Sequence, residues 1–482
     1  MEHYMTCPLC EATCGLEVNT EDDKIISIRG DKNDPLSRGH MCPKGLGVKG
    51  IHEDPDRIRV PMIRHGEAWE EVSAEEAFEY IRTRMAKIRD HYGDDAIGIY
   101  MGNPNVHNLD AQLYLPSVVR ATKSKKRFSA SSIDQLPKQL VAAFLYGDPM
   151  NVPVPDIDRT MYFLVIGGNP LVSNGSMMTA PNMRDRLRSL KQRGGKLVVI
   201  DPVRTRTAMM ADEHHFIRPG TDVWLLLGLL FTLYDEKWTS LDSLRDFVRG
   251  LDEIQTLATR VTPEMAAEKC GIEADVIRRI ARELASADGA VVYGRMGSCT
   301  QQFGGLVTWL IDVINVVTGN LDREGGVMFP LAAAMSHNLG GKGVGSVRMG
   351  RFHSRVSQVP EVLGEFPVAV MAEEIDEPGE GQIKAFITIA GNPVLSTPNS
   401  DRLEKGLSQL DLMVSVDFYL NETSRYAHVF LPVPSPLERE HYDLTFYQMR
   451  RKTPCFSYGD IPIRAHGKAL AVRRMFCLLH AI

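Results

Sequence analysis

Four cysteines near the start of the chain constrain it more than any other feature: Cys7, Cys10, Cys14 and Cys42 read C-x2-C-x3-C-x27-C. Soft thiolate sulfur selects iron–sulfur clusters, zinc or copper(I). A structural zinc site usually pairs two short cysteine knuckles. Here the second half supplies Cys42 alone, and C-x2-C-x3-C is an awkward bite for one tetrahedral ion. Three thiolates on one glycine-turned loop, joined by a fourth from a distant turn, suit a [4Fe–4S] cluster better than zinc. Cys270, Cys299, Cys455 and Cys477 are isolated and read as small buried apolar residues. Eight cysteines in 482 residues are too sparse for a disulfide scaffold.

A chain of 482 residues exceeds one ordinary core, so two or three packed units are expected. A net charge of -6 gives no reason to expect nucleic-acid binding. The longest apolar run, Val223 to Tyr234, falls short of the roughly 20 residues of a membrane helix and reads as a buried helix. No membrane span is therefore expected. Met1-Glu2-His3-Tyr4-Met5 shows neither an apolar signal segment nor a twin-arginine pair, and Cys7 follows at once. A cytoplasmic location is the expectation.

After Cys42 the pattern alternates between strand and helix. Ser73-Ala74-Glu75-Glu76 is a capping box. It opens a helix whose Phe78, Ile81, Met85 and Ile88 recur at helical spacing and which Gly93 ends. Residues 96–101 read as a buried strand running into Gly102-Asn103-Pro104. Met161 to Ile166 is a strand ending in Gly167-Gly168-Asn169-Pro170, followed by a helix around 182–192 and a strand from Lys196 to Ile200 that delivers Asp201. The order returns later. Lys384 to Ile389 leads into Ala390-Gly391-Asn392-Pro393, a helix near 400–407, and a strand from Leu412 to Val416 that delivers Asp417. Such a duplication predicts two related α/β domains.

Glycine at a strand end lets the backbone approach a ligand closely, and proline turns the chain away. An acid ending the next strand can accept hydrogen bonds from ribose hydroxyls or a guanine edge. One Gly-Asn-Pro is commonly just a turn, but two in the same topological place, each followed by aspartate, point to two nucleotide tails. The fingerprint G-x-G-x-x-G appears in neither loop, which disfavours a nicotinamide or flavin cofactor.

The stretches from Cys7 to Gly15 and from Gly39 to Gly45, including Gly39-His40-Met41-Cys42-Pro43-Lys44-Gly45, resemble the N-terminal signature of the dimethyl-sulfoxide-reductase superfamily. The resemblance extends to about Tyr442. It implies an oxidoreductase holding one [4Fe–4S] cluster and Mo (or W) in a bis-molybdopterin guanine dinucleotide, each nucleotide tail held by one α/β domain. It places Lys44 between cluster and pterin. By motif, Gly168, Asn169, Pro170, Asp201, Arg204 and Thr205, with Gly220 and Asp222 of the Arg218–Asp222 stretch, would line one tail. Gly391, Asn392 and Asp417, with Glu422 and Thr423, would line the other. The implied architecture is an α/β protein: an N-terminal iron–sulfur domain over 1–60, then two related doubly wound domains, 61–130 plus 331–440 and 131–330. A small-molecule substrate and an electron-transfer partner, either a subunit or a ferredoxin-like protein, follow from the same resemblance.

Two departures from that pattern matter. Family members commonly carry a Cys, selenocysteine, Ser or Asp ligand to the metal ahead of the Gly-Asn-Pro strand. Here residues 131–141 contain no cysteine, and the aligned position falls at Gln139 or Leu140. That counts against a formate dehydrogenase of the usual kind. Lys138 and Gln139 could orient an anionic substrate or lie on a helix surface, and His107, His214 and His215 read as structural. Secondly, residues 450–482 carry seven Lys/Arg against one acid, Asp460. This reads as an atypical tail, either truncated or natively basic, in place of a further cap domain. The rival function is a non-catalytic electron conduit or scaffold that keeps the fold and cluster without Mo or W.

Overall fold

The computed structural model describes residues 1–241, 244–330 and 349–439. The basic tail, Cys455 and Cys477 lie outside them. The described chain divides into two compact units, one formed by residues 1–133 together with those after 348, the other by residues 134–330.

The first unit begins with an antiparallel sheet of β1 (Glu2–Thr6), β2 (Gly15–Glu21) and β3 (Lys24–Gly30), in sequential order. Asp22 and Asp23, both at positive φ (48° and 59°), make the tight β2–β3 turn, as primed hairpin turns require. Residues 7–14, which join β1 to β2, carry three of the four cysteines. The loop is pinned where Cys7 N–H donates to the Cys14 carbonyl at 2.8 Å. Cys42 is the N-cap of the helix Pro43–Glu53, with Pro43 at its first position, where a missing N–H costs nothing.

Four strands follow before the second unit: β4 (Met62–His65), β5 (Ala68–Glu71), β6 (Ile97–Met101) and β7 (Arg127–Ser129). Between β5 and β6 lies the helix Ala74–Tyr92, with the predicted Ser73–Glu76 capping box and Gly93 at its end.

The second unit holds β8 (Val154–Pro155), β9 (Tyr162–Ile166), β10 (Lys196–Ile200), β11 (Glu213–His215), β12 (Ala290–Gly294) and β13 (Val327–Met328). Its main sheet is parallel in the order β11-β10-β9-β12. Residues of β9 and β12 are buried along their whole length, as strands covered on both faces must be. The apolar run is the helix Asp222–Asp235, whose Leu225, Leu226, Leu229, Leu230 and Leu233 pack on one side of this sheet. The helix Met183–Gln192 covers the other side. Among the described residues no helix is long and apolar enough to cross a membrane.

The chain then returns to the first unit through β14 (Met349–His353), β15 (Pro360–Val362), β16 (Ala385–Ile389), β17 (Leu412–Asp417) and β18 (Val429–Pro432). Seven strands make one sheet in the order β5-β4-β18-β17-β16-β6-β7. It is parallel from β18 to β7 and antiparallel at the β4–β5 edge. Both repeats therefore form: β9–helix–β10 in one unit and β16–helix–β17 in the other, each pair adjacent and parallel. What the pattern along the chain did not reveal is that β6 lies beside β16, so that two Gly-Asn-Pro turns share one sheet.

Those two turns nearly touch. A Cβ on Gly102 would fall 1.8 Å from the Ala390 carbonyl oxygen and 2.8 Å from Gly391 Cα. Neither backbone can give way, because Asn105 Nδ2 donates to the carbonyls of both Gly102 and Ile389 at 2.9 Å. Gly102→Ala is expected to destabilise the first unit by about 1–3 kcal/mol, the range for overpacking. Equilibrium urea unfolding against wild type measures it.

Candidate cluster and nucleotide sites

At the N-terminus the four thiols face one another. Cys7 and Cys14 are buried, and Cys10 and Cys42 are half-buried. Burial pushes the Cys7 thiol up to about 12, with neighbouring Cys10 and Cys42 adding to the rise and Lys44 opposing it. Cys10 is raised by burial first, then by Glu11 and Cys42. Burial also raises Cys14 strongly, followed by Cys7, Cys10, Cys42 and Asp34. Cys7, Cys10 and Cys14 thus resist ionising in this crowded, buried place, so a group holding the set as thiolates must bring its own positive charge. Among the described residues no three His, Cys, Asp or Glu side chains are close enough to share one metal ion. A multi-iron cluster fits that set. Lys44 is exposed in the first turn of the helix Pro43–Glu53.

The two Gly-Asn-Pro turns with a following acid are built alike. In the second unit Ile166 pairs with Ile200, and Gly167 N–H donates to the Ile200 carbonyl at 3.0 Å. In the first unit Ile389 pairs with Val416, and Ala390 N–H donates to the Val416 carbonyl at 2.8 Å. Asp201 and Asp417, each one residue further, consequently stand beside their turns. Asn169 Oδ1 accepts from Thr207 Oγ1 at 2.7 Å, and Thr207 Oγ1 accepts from Leu171 N–H at 3.2 Å. Asn392 Oδ1 accepts from Thr423 Oγ1 at 2.7 Å, and Thr423 Oγ1 accepts from Val394 N–H at 3.0 Å. Two unrelated turns would not reproduce this three-membered lock.

The lock also locates the true counterpart of Thr423. It is Thr207, which motif reasoning passed over in favour of Thr205. Thr205 instead caps the short helix Arg206–Met210, its hydroxyl accepting from Ala208 N–H at 3.1 Å.

Around Asp201, Val203 N–H donates to the carboxylate at 2.8 Å, and His214 Nε2 sits 3.0 Å from the Asp201 carbonyl oxygen. Burial raises the Asp201 pKa. Asp222, buried at the start of the helix Asp222–Asp235, accepts from Gln301 Nε2 at 2.9 Å. Burial raises it too, with Asp201 adding like charge. Gly168 and Pro170 are buried, while Arg204 and Gly220 are exposed at the rim. Gln301, part of no motif, was invisible before folding.

In the first unit a cleft of about 170 Å3 opens where β6, β16 and β17 end, lined by Asn105, Asn108, Gly391, Asp417, Phe418 and Arg439 among others. Burial pushes Asp417 up to about 6, against hydrogen bonds from Phe418 N–H and Asn421. Asn392 Nδ2 donates to Glu422 at 2.7 Å. A buried carboxylate with lone pairs left beyond the Phe418 and Asn421 bonds, at a cleft edged by glycine, fits a group that presents N–H or O–H donors, as guanine and ribose do.

Residues 131–141 turn inward to the protein. Ser131 bonds with Ser129 at 3.0 Å, and Ser132 Oγ accepts from Val368 N–H at 3.0 Å. Gln139 and Leu140 lie within the helix Leu136–Tyr146. Lys138 corrects both of its expected roles: it is neither substrate-facing nor a helix-surface residue, but buried and paired with buried Asp312 at 3.6 Å. The half-exposed acid of the stretch is Asp134, held by Arg295 Nη2 at 2.8 Å.

A profile of the molybdopterin oxidoreductase family matches residues 57–451, and one of molybdopterin oxidoreductase Fe4S4 domains matches residues 3–51. The thiosulfate reductase molybdopterin-containing subunit of Salmonella typhimurium is 27% identical over 90% of this chain and 58% of its own length. The F420-dependent formate dehydrogenase subunit alpha of Methanocaldococcus jannaschii is 25% identical over 92% of this chain and 65% of its own. The assimilatory nitrate reductase catalytic subunit of Bacillus subtilis is 25% identical over 90% and 62%. The chain thus spans about three fifths of the length of such curated relatives. Acetylene hydratase from Pelobacter acetylenicus shares the fold, with a TM-score of 0.79 over 99% of this chain and 69% of that one at 19% identity.

Asp417 makes the cofactor-free protein pH-sensitive. Its folded pKa lies above the ordinary 3.8, so its contribution to stability is complete below that pH and is lost as pH rises through about 6. Asp417→Asn removes the cost of the buried charge. The variant is expected to gain up to about 3 kcal/mol on wild type at pH 7 and nothing at pH 3.5, by urea unfolding of cofactor-free protein.

Proposed function

The chain belongs to the molybdopterin oxidoreductase family, and on that premise we propose that it is an oxidoreductase catalytic chain acting on a small molecule at a bis-molybdopterin guanine dinucleotide centre. The observation that carries this reading is the twofold cradle: one asparagine–threonine lock and one buried aspartate beside it in each α/β unit. An electron conduit without Mo or W has no use for two of them.

When bound, the metal–pterin group supplies two-electron bond chemistry and the [4Fe–4S] cluster supplies one-electron transfer. The chain's own residues bind and orient. Cys7, Cys10, Cys14 and Cys42 hold the cluster, and the Lys44 ammonium lies on the pterin side of it. Gly168, Asn169 and Pro170 shape one turn against a nucleotide tail, with Asp201, Asp222 and the Gly220 turn receiving its donors and Arg204 at the rim. Gly391, Asn392 and Asp417 do the same for the other tail. Thr205 supports the first site by capping the helix that presents Thr207.

Formate is the disfavoured substrate, since residues 131–141 carry no cysteine. The proposed electron partner is a separate subunit or a ferredoxin-like protein, in keeping with relatives that are named as subunits. The cytoplasm is the proposed compartment, where thiols such as buried Cys270 and Cys299 stay reduced.

Metal analysis of anaerobically purified protein tests the reading. About four Fe per chain, with Mo or W and two guanine nucleotides released on acid hydrolysis for each Mo or W, is the expected result. Iron without Mo or W would make the chain a conduit, and zinc in place of iron would remove the cluster altogether.

A further inference from the structure

The loop between β3 and the helix Pro43–Glu53 brings one acid against the cysteine loop. Asp31 N–H donates to the Gly15 carbonyl at 2.9 Å, and Gly39 N–H to the Asp31 carbonyl at 2.8 Å, so the loop is tied down at both ends. Between them Asp34 is 6% exposed. Its Oδ2 accepts from Ser37 N–H and Ser37 Oγ, both at 2.6 Å. Ser37 Oγ in turn accepts from Gly15 N–H at 3.1 Å. Gly15 immediately follows Cys14, and a Cβ there would fall 2.5 Å from Asp34 Cβ and 2.8 Å from its Cγ. Glycine at 15 is what lets the carboxyl group dock beside Cys14.

Among the described residues no lysine or arginine forms an ion pair with Asp34. The basic residue of the site, Lys44, acts on Cys7 and Cys10, whereas Asp34 acts on Cys14. The four-thiol site therefore carries a buried anion beside Cys14 that no cation among the described residues pairs with, while Lys44 acts on Cys7 and Cys10. Reduction adds one negative charge to a cluster. A fixed negative charge beside one ligand opposes that charge, and burial limits its screening by salt. Net charge, hydrogen bonding and exposure are the protein's levers on such potentials.

We infer that Asp34, acting through Cys14 and locked by Ser37, is a charge device that holds the reduction potential of the cluster down. This rests on the iron–sulfur reading above. It assigns a task to a residue in no cysteine motif. Asp34 touches no reacting atom, and its effect on the cluster is electrostatic.

An EPR-monitored redox titration of the anaerobically purified full chain tests it, with iron counted in every sample. Asp34→Asn and Asp34→Ser, both neutral, are expected to raise the reduced-to-oxidised ratio about tenfold at a fixed solution potential. For one electron that corresponds to about 59 mV. Asp34→Glu, which keeps the charge, is expected to stay close to wild type with the same iron content. Unchanged potentials in iron-loaded neutral variants would overturn the inference. So would loss of iron from both neutral variants with retention in Asp34→Glu, because Asp34 would then serve assembly alone. A wild-type chain without iron or cluster EPR signal would sink the iron–sulfur reading itself, a distinguishable failure.

Discussion

Parallel pairing of two strand ends is the constraint on which the rest depends. In each unit a fully buried strand must lie beside the next strand of its repeat, and the pairing puts Ile166 opposite Ile200 and Ile389 opposite Val416. Those four residues are buried. A one-residue slip along the sheet would carry the buried end of a strand out of the layers that cover it. Register fixed for burial therefore also fixes where Asp201 and Asp417 stand relative to their Gly-Asn-Pro turns. The asparagine–threonine locks then stiffen loops whose ends the sheet has already positioned. Burial provides the driving force, and hydrogen bonds provide the shape.

The cluster region does not stand on a core of its own. Its buried residues are few, among them Met5, Leu16, Val18, Ile25, Ile28 and Val48, and Leu437 from near the end of the described chain completes them. The same late segment supplies Glu438, which pairs with buried Arg57 at 3.2 Å, and Ser435, which bonds His52 at 2.8 Å. Arg439, the next residue, lines the cleft with Asp417. One segment thus braces the cysteine-bearing region and walls the cleft beside Asp417. A small domain that cannot bury enough surface alone needs such support.

Much of this was legible along the chain. The capping box at Ser73, the buried helix through Leu229 and both strand–turn–helix–strand repeats follow from local periodicity and turn chemistry, and the structure has them within a residue or two. Local pattern could not reveal partners distant in sequence. Thr207 was overlooked for Thr205 because only the folded chain shows which hydroxyl reaches Asn169. Lys138 looked available because a lysine is ordinarily solvated, and its partner Asp312 lies far along the chain. Gln301 and Asp34 carry no motif at all.

The sequence by itself determined the kind of chemistry: thiolate spacing, twin Gly-Asn-Pro turns and the acids that follow are local facts, set by ligand softness and backbone geometry. Only the tertiary structure decided which groups meet. It set β6 against β16, Thr207 against Asn169 and Asp34 against Gly15. Such meetings arise because burial and hydrogen bonding are satisfied over the whole fold at once, and no stretch of chain holds that information alone.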